Sequence, residues 1–392
     1  MKRRTFVAAA AAAAIPRSLF ADSQQPRRVA VIGHTGRGNY GHGLDVVWTK
    51  FPNVEVVGVA DPNESGLRKT LSRVKIDQGF TDYRKMLQKL RPEFVSVAPR
   101  HPDQHLEMAL AAIKSGAKGL YVEKPFCRSP HEADQLIAAA EEYGAQIAVA
   151  HRNRYHPALP TIKQLVADGK IGRLLEIRGH GLGDRRGGAE DLWVLGGHVF
   201  NLMHYFAGDP TSCSATVLQN GRPATKQDVV DGAEGLGPLA GNEIHARWLL
   251  SSGITATYDT FTNDGSNKTG YATHLIGTEG SISLHIDRDP IAWIRPGNPF
   301  DPTSRGLARI PVTTAGPGKQ ETQPELIAEV HNHVVAIRDL IDAVDNRRPP
   351  LCDARQGAMT VEMICSVFES HRQGGAFVPL PLTERDNPLS RR

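Results

Sequence analysis

A chain of 392 residues exceeds what one hydrophobic core usually serves, and 40% hydrophobic with 22% charged residues describes a folded globular protein of two domains, not a disordered or fibrous one. The net charge of +4 is scattered, part of it at the two ends (Lys2, Arg3, Arg4, Arg391, Arg392), so no basic stripe marks a nucleic-acid surface and that partner is excluded. Cys127, Cys213, Cys352 and Cys365 stand far apart without a C-x-x-C pair, which excludes a zinc ribbon and a dense disulfide framework and leaves them as packing residues.

The chain opens with Arg3-Arg4-Thr5-Phe6-Val7, then an alanine-rich apolar run from Ala8 to Ile15, then Pro16 and Ala21. A paired arginine ahead of an apolar run too short to cross a bilayer has the pattern of a twin-arginine export signal. Residues 1–26 are read as signal and linker. The mature chain is expected in the periplasm without a transmembrane span, with cleavage near Ala21 or retention as an anchor both left open.

From Arg27 the pattern changes to strands alternating with helices. Arg28 to Ile32 is a β-branched run ending at Gly33, followed by a loop with Gly33, Gly36, Gly38, Gly41 and Gly43 and an expected helix from Leu44 to Lys50. Glycines let a backbone turn tightly and bring its N–H groups and a helix N-terminus against a pyrophosphate, so this order suits a dinucleotide. Two frames compete: Gly36-x-Gly38-x-x-Gly41 spells the full motif but starts three residues past the strand, and Gly33-x-Thr35-x-x-Gly38 starts in place but lacks the middle glycine. The next strand, Val54 to Ala60, ends at Asp61, where a carboxylate binds adenosine ribose hydroxyls and repels a 2′-phosphate; NAD is favoured over NADP. The competing reading is that Asp61-Pro62-Asn63 only caps a turn.

Further strands at Phe94 to Ala98, Gly119 to Val122 and Ile147 to Ala150 alternate with helices from Asp103 to Ser115 and from a Ser129/Glu132 capping box to Gly144. Repeated βα units of this length give a doubly wound parallel Rossmann sheet over 27–150, with the ligand at the carboxyl ends of the strands. Those ends carry Ala98-Pro99-Arg100-His101, Glu123-Lys124-Pro125 and His151-Arg152-Asn153-Arg154-Tyr155.

Val122-Glu123-Lys124-Pro125-Phe126 after a Gly-rich βα start resembles the Gfo/Idh/MocA family. The likeness runs through Arg154-Tyr155-x-Pro157, Lys170-Ile171-Gly172, Gly196-x-His198, Arg348-Pro349-Pro350, Phe368-Glu369-Ser370 and Val378-Pro379-Leu380-Pro381-Leu382. The resemblance implies that Lys124 lies between nicotinamide and substrate. Burial beside a positively charged ring would lower a lysine pKa and let it take an alcohol proton, and a cis bond at Pro125 is implied as well. Cofactor-binding positions are assigned to Gly33, Thr35, Gly36, Arg37, Gly38, Asp61, Pro99, His105, Glu123 and Lys124. The family's second signature is Asp, Gly and His at two-residue spacing, then Asp three residues on. Here the positions read Val194, Gly196, His198 and Asn201, so the glycine and histidine match and both carboxylates are missing. His198 is the second catalytic candidate. Arg152, Tyr155, Asp191 and Asn201 are the substrate candidates, with Asp191 or Asp184 as replacement carboxylates.

Residues 151–385 are expected to form an α/β domain with an open, mainly antiparallel sheet from Leu174 to Gly181, Glu243 to Leu250, Ile254 to Phe261, His274 to Gly277 and Ser281 to Ile286. The Pro-, Gly- and Thr-rich stretch 290–323 is read as a surface loop, and Glu325 to Val344 as one helix within closing helices near 325–372. His331 and His333 do not share a helix face, and no metal is expected. The resemblance implies a homodimer or homotetramer through the open sheet.

Three functions follow. The first is an NAD(P)-dependent oxidoreductase acting on a secondary alcohol carbon of a sugar or polyol. The second is a redox-neutral, NAD-dependent glycosidase or lyase working by transient oxidation and elimination. The third is a non-catalytic sugar-binding protein on the same fold, which Glu123-Lys124-Pro125 and His198 disfavour.

Overall fold

The computed structural model describes residues 25–391; the twin-arginine pattern lies outside them. The first half is a six-stranded parallel sheet of β1 (Arg27–Ile32), β2 (Val54–Ala60), β3 (Gly79–Phe80), β4 (Phe94–Val97), β5 (Gly119–Val122) and β6 (Gln146–Val149). Its order is β3-β2-β1-β4-β5-β6, so the order reverses between β1 and β4, where an open α/β sheet leaves its ligand crevice. All four residues of β4 and of β5 are buried, as expected of strands covered on both faces. The covering helices are α1 (Glu64–Val74), α2 (Tyr83–Leu90), α3 (His105–Lys114) and α4 (Pro130–Tyr143). Ser129 caps α4 by accepting from Glu132 N at 3.2 Å, but Glu132 reaches back to Arg128 N rather than closing the expected box.

One predicted element of this half is absent. Between β1 and β2 the chain forms turns and a short 3-10 helix at Val47–Lys50, not a helix from Leu44. Gly41 and Gly43 both take positive φ, 57° and 90°, which stops a helix from starting there.

The second half is built on an eleven-stranded sheet, joined to the first through α5 (Ala158–Ala167). Its strands are β7 (Leu174–His180), β8 (Pro210–Gln219), β9 (Glu243–Leu250), β10 (Thr255–Phe261), β11 (Ala272–Gly277), β12 (Gly280–His285), β13 (Ala292–Pro296), β14 (Ile310–Thr313), β15 (Gly316–Pro317) and β16 (Val378–Pro379). They lie in the order β15-β14-β13-β12-β11-β7-β10-β9-β8-β16, with Arg222–Pro223 on β8, and the pairing is antiparallel except between β7 and β10. Thus 290–323 is not a loop: its short runs add β13, β14 and β15 to the sheet edge.

Strict alternation, as in β9 where Ile244, Ala246, Trp248 and Leu250 are buried, gives this sheet one covered face. Over it lie α6 (Gly197–Ala207) and α9 (Ala354–Arg372), the latter also packed on α4. Gly179 of β7 lets α6 approach, since a Cβ there would sit 2.5 Å from Val199 Cγ1 and 2.6 Å from Met203 Cε. The expected single helix near 325–344 is two, α7 (Pro324–His331) and α8 (Val334–Asp345), broken where His333 takes φ 62°. Among the described residues no helix is long and apolar enough to cross a membrane.

Candidate active site

The carboxyl ends of β1, β4, β5 and β6 meet the start of α6 and the turn after β12. Lys124, one residue past Glu123 at the end of β5, precedes a cis Pro125, as the resemblance implied. Its side chain is 8% exposed, and Nζ donates to Val194 O at 3.0 Å. That carbonyl is available because Leu192–Gly196 forms a π-helical turn just ahead of α6, and such widened turns redirect main-chain acceptors. Val194 occupies the first carboxylate position of the family signature, and its backbone oxygen meets the lysine there. Burial lowers the Lys124 pKa, with Glu123 opposing, so the amine is held toward its neutral form.

His198, on the first turn of α6, is 6% exposed and lies edge-on to His151, ring centroids 5.3 Å apart, and 6.2 Å from the Tyr271 ring. Burial, then the neighbouring Lys124 and His151, push it well below the ordinary histidine range. The carboxylate facing this group is Asp287, from the turn after β12. It accepts from Tyr271 Oη at 2.8 Å, Asn153 Nδ2 at 3.0 Å and Arg152 Nε at 3.1 Å. Burial opposes its charge, but His198, Arg152 and these donors outweigh that and keep it ionised. Asp287, Tyr271 and His151 had no motif to mark them; Asp287-Arg288-Asp289-Pro290 reads as an ordinary turn.

The other candidates fall into place around this centre. Asp191 is buried and accepts from Thr260 Oγ1 at 2.7 Å and Tyr258 Oη at 2.8 Å, which ties it to the sheet, and Asp184 pairs with Arg186 at 2.7 Å. Asp287 is the carboxylate whose charge is felt by His198. Tyr155 Oη accepts from Cys352 N at 3.2 Å and braces the α9 entry. Asn201, one turn beyond His198, leaves its Oδ1 without a partner. Arg152 reaches both Asp287 and His331 O, the latter at 2.8 Å.

The assigned cofactor positions gather at and just beyond the carboxyl ends of β1, β2, β4 and β5. Glu123 accepts from Lys124 N at 2.8 Å, His42 Nδ1 at 3.0 Å and His42 N at 3.2 Å, pinning the glycine loop to the lysine. Fully buried, His105 lies between Pro99 O at 2.7 Å and Phe126 O at 3.2 Å, bracing the β4 end against the lysine loop. Gly33 packs on the Tyr40 ring, and Gly36 has φ 91° with open space beside it. A Cβ on Gly38 would lie 2.4 Å from Arg100 N. Arg37 pairs with Asp103, against which Gly235 also packs. That contact comes from an excursion at 220–242, between β8 and β9, which crosses from the second half to touch residues 102–104.

Asp61 lies at the end of β2, where the ribose-binding carboxylate was expected. It is 0% exposed, and its oxygens accept from Thr35 N, Thr35 Oγ1, Tyr40 Oη and Asn63 N at 2.6–3.1 Å, so it organises the loop from beneath. Beside it, at the ends of β1 and β2, a cavity of about 620 Å³ is lined by Thr35, Gly41, Asn63, Ser65, Gly66 and Lys69. A glycine cradle next to a cavity of this size fits a dinucleotide.

Residues 27–151 match the model of the Gfo/Idh/MocA oxidoreductase family's NAD-binding Rossmann fold, and residues 163–380 match its C-terminal alpha/beta domain. Levoglucosan dehydrogenase of Pseudarthrobacter phenanthrenivorans is 26% identical over 322 residues, 72% of this chain and 80% of that one. D-apiose dehydrogenase of Paraburkholderia graminis is 24% identical over 345 residues, 83% and 84% respectively. A solved levoglucosan dehydrogenase in complex with NADH and levoglucosan superposes with a TM-score of 0.71 at 20% identity, covering 91% of this chain and all of that one. With the parallel NAD-binding sheet, the open second sheet and the lysine–histidine centre between them, the chain belongs to the Gfo/Idh/MocA family of oxidoreductases.

Proposed function

We propose that the protein is an NAD-dependent dehydrogenase moving hydride to or from a secondary alcohol carbon of a sugar or polyol. The observation that carries this reading is Lys124, buried, held toward neutrality and hydrogen-bonded only to a main-chain carbonyl, beside His198 at the carboxyl ends of a dinucleotide-binding sheet. The sugar and polyol class is taken from relatives named for levoglucosan and D-apiose.

Bound NAD supplies one function, accepting hydride from the alcohol carbon or returning it. Neutral Lys124 turns from Val194 O to the substrate hydroxyl and takes its proton as the C–H bond breaks. His198, kept neutral, hydrogen-bonds the same oxygen and fixes its direction. Asp287, ionised among Arg152, Asn153 and Tyr271, offsets the positive charge that develops on Lys124. Lowering of the lysine pKa fits the base role: oxidation requires the free amine.

The test is to incubate the folded mature protein with NAD and a panel of sugars, polyols and aryl glycosides, following NADH and product together. NADH formed in proportion to product supports the dehydrogenase; glycoside cleavage with no net NADH replaces it with the redox-neutral lyase or glycosidase.

We further propose export by the twin-arginine route, on the Arg3-Arg4 pattern, and homodimer or homotetramer formation through the open face of the large sheet, which presents Leu249 and the Arg247–Phe377 contact to solvent. Arg3→Lys with Arg4→Lys should leave the protein in the cytoplasm, and light scattering should give twice or four times the chain mass.

A further inference from the structure

His151 is the second residue after β6, its backbone N–H bonded to Val149 O at 2.8 Å. Its ring is 2% exposed, and neither Nδ1 nor Nε2 has a hydrogen-bond partner. It stands nearly perpendicular to His198, and Gly197 at the start of α6 gives it room: a Cβ there would come 3.4 Å from His151 Cε1. His198 Nδ1 and Asn201 Oδ1 on the adjoining helix are also unpartnered. Buried polar atoms in native proteins are paired in the great majority, so four open atoms on one wall beside Lys124 need a partner from outside the chain.

Other wholly or partly buried histidines of this fold find at least one ring partner. His105 spans two carbonyls, and His333 Nδ1 meets Tyr121 Oη at 2.6 Å. His371 accepts from Val217 N and faces Ala224 O. His101, His156 and His333 each leave one ring nitrogen open, but among the described residues His151 is the histidine with both ring nitrogens buried and open, and it stands beside the open His198 Nδ1. Burial, with Lys124 and His204 nearby, lowers the His151 pKa to about 3, so its ring is neutral. A neutral imidazole offers one donor and one acceptor, which match a hydroxyl group; a carboxylate or phosphate would ask for donors alone.

We propose that His151 is a further catalytic residue that hydrogen-bonds the hydroxyl on the carbon next to the one being oxidised, so that the site reads a vicinal diol rather than an isolated alcohol. The inference rests on the dehydrogenase reading for the identity of the oxidised carbon. Lys124 and His198 hold the reacting oxygen, while His151, set at the β6 end across from α6, holds its neighbour. No proton needs to leave His151 for this role. It fixes which face of the substrate carbon is presented, and it weakens the binding of any substrate lacking the second hydroxyl.

The test compares the panel polyol with the highest kcat/KM and its deoxy analogue lacking the neighbouring hydroxyl, in the wild type, His151→Phe and His151→Gln. Phenylalanine keeps the edge contact with His198 and removes both nitrogens; glutamine restores a donor and an acceptor. The expected result is a loss of about 10- to 100-fold in kcat/KM for the diol with His151→Phe, little change for the deoxy analogue, and partial recovery with His151→Gln. Equal losses on both substrates, or none, overturn the proposal. If no polyol yields NADH, calorimetric titration of the NADH-loaded protein separates the two ideas. The polyol that binds most tightly should then lose affinity with His151→Phe, and a protein that binds no polyol, or binds it equally in both forms, sinks the role given to His151. Should His151→Phe fail to fold, His151→Gln against wild type on the same pair of substrates decides, with an unchanged diol preference and unchanged imidazole NMR shifts on adding polyol counting against it.

Discussion

Polar groups beneath the glycine loop and polar groups at the start of α6 are equally buried, yet they are held in opposite ways. Under the loop, Asp61 accepts from four protein donors, Glu123 from three, and His105 spans two carbonyls. Around α6, His151, His198 and Asn201 leave four atoms with none. The first arrangement is complete without a ligand and acts as a rigid frame; the second becomes complete when something binds. Buried polarity alone therefore does not mark a site; what sets this wall apart is four unpartnered atoms gathered on one helix start and the strand end facing it.

Four experiments break or sharpen that contrast. Lys124→Met removes the group that belongs to neither pattern, since its one bond is to a carbonyl. kcat should fall by about 10³-fold or more with the fold intact, measured as NADH formation beside a thermal melt. Asp61→Ala strikes the completed frame and leaves Thr35 and Tyr40 donors buried without an acceptor. Unfolding in urea should show a loss of about 3 kcal/mol, whereas a change within 0.5 kcal/mol would mean that the frame is not what holds the loop. His198→Asn strikes the open wall: kcat should fall about 10²-fold while stability stays within about 1 kcal/mol. A comparable loss of stability would place His198 in the frame instead.

The fourth experiment follows the pH dependence of stability. The folded His151 has a pKa near 3, below the ordinary value of about 6.5, so the unfolded chain binds more protons in between. Its contribution is full above about pH 6.5 and is lost as pH falls toward 3, by up to about 1.4 kcal/mol per unit. His151→Phe should flatten the urea-derived stability profile in that window and leave it unchanged above pH 7.

The alternating strands and helices of 27–150 were legible because each parallel strand is an unbroken apolar run closed by a polar cluster. The irregular β1–β2 connection was not: Leu44 to Lys50 has helix-forming residues, and what prevents a helix is the backbone of Gly41 and Gly43 just before it. Edge strands β13 to β15 were hidden by proline and glycine, which a sheet edge tolerates and its middle does not. The break at His333 left no trace either, because a left-handed residue without glycine or proline is set by packing, here the Tyr121 contact. Within the site, Lys124 and His198 were readable from their motifs, whereas Asp287 and Tyr271 reach it only through the register of β11 and β12, which composition does not reveal.

The acceptor that meets Lys124 is a main-chain oxygen at Val194, and this changes what mutation can reach. A side-chain carboxylate can be deleted by one base change and neutralised by acid. A peptide carbonyl has no proton to gain in the physiological range and survives every substitution at its own position. Any side chain that fits at 194 preserves the contact. Removing one residue between 192 and 196 should wind the turn back to an ordinary helix and withdraw it, so on the acceptor side of this contact a change in chain length reaches what a side-chain substitution at 194 does not.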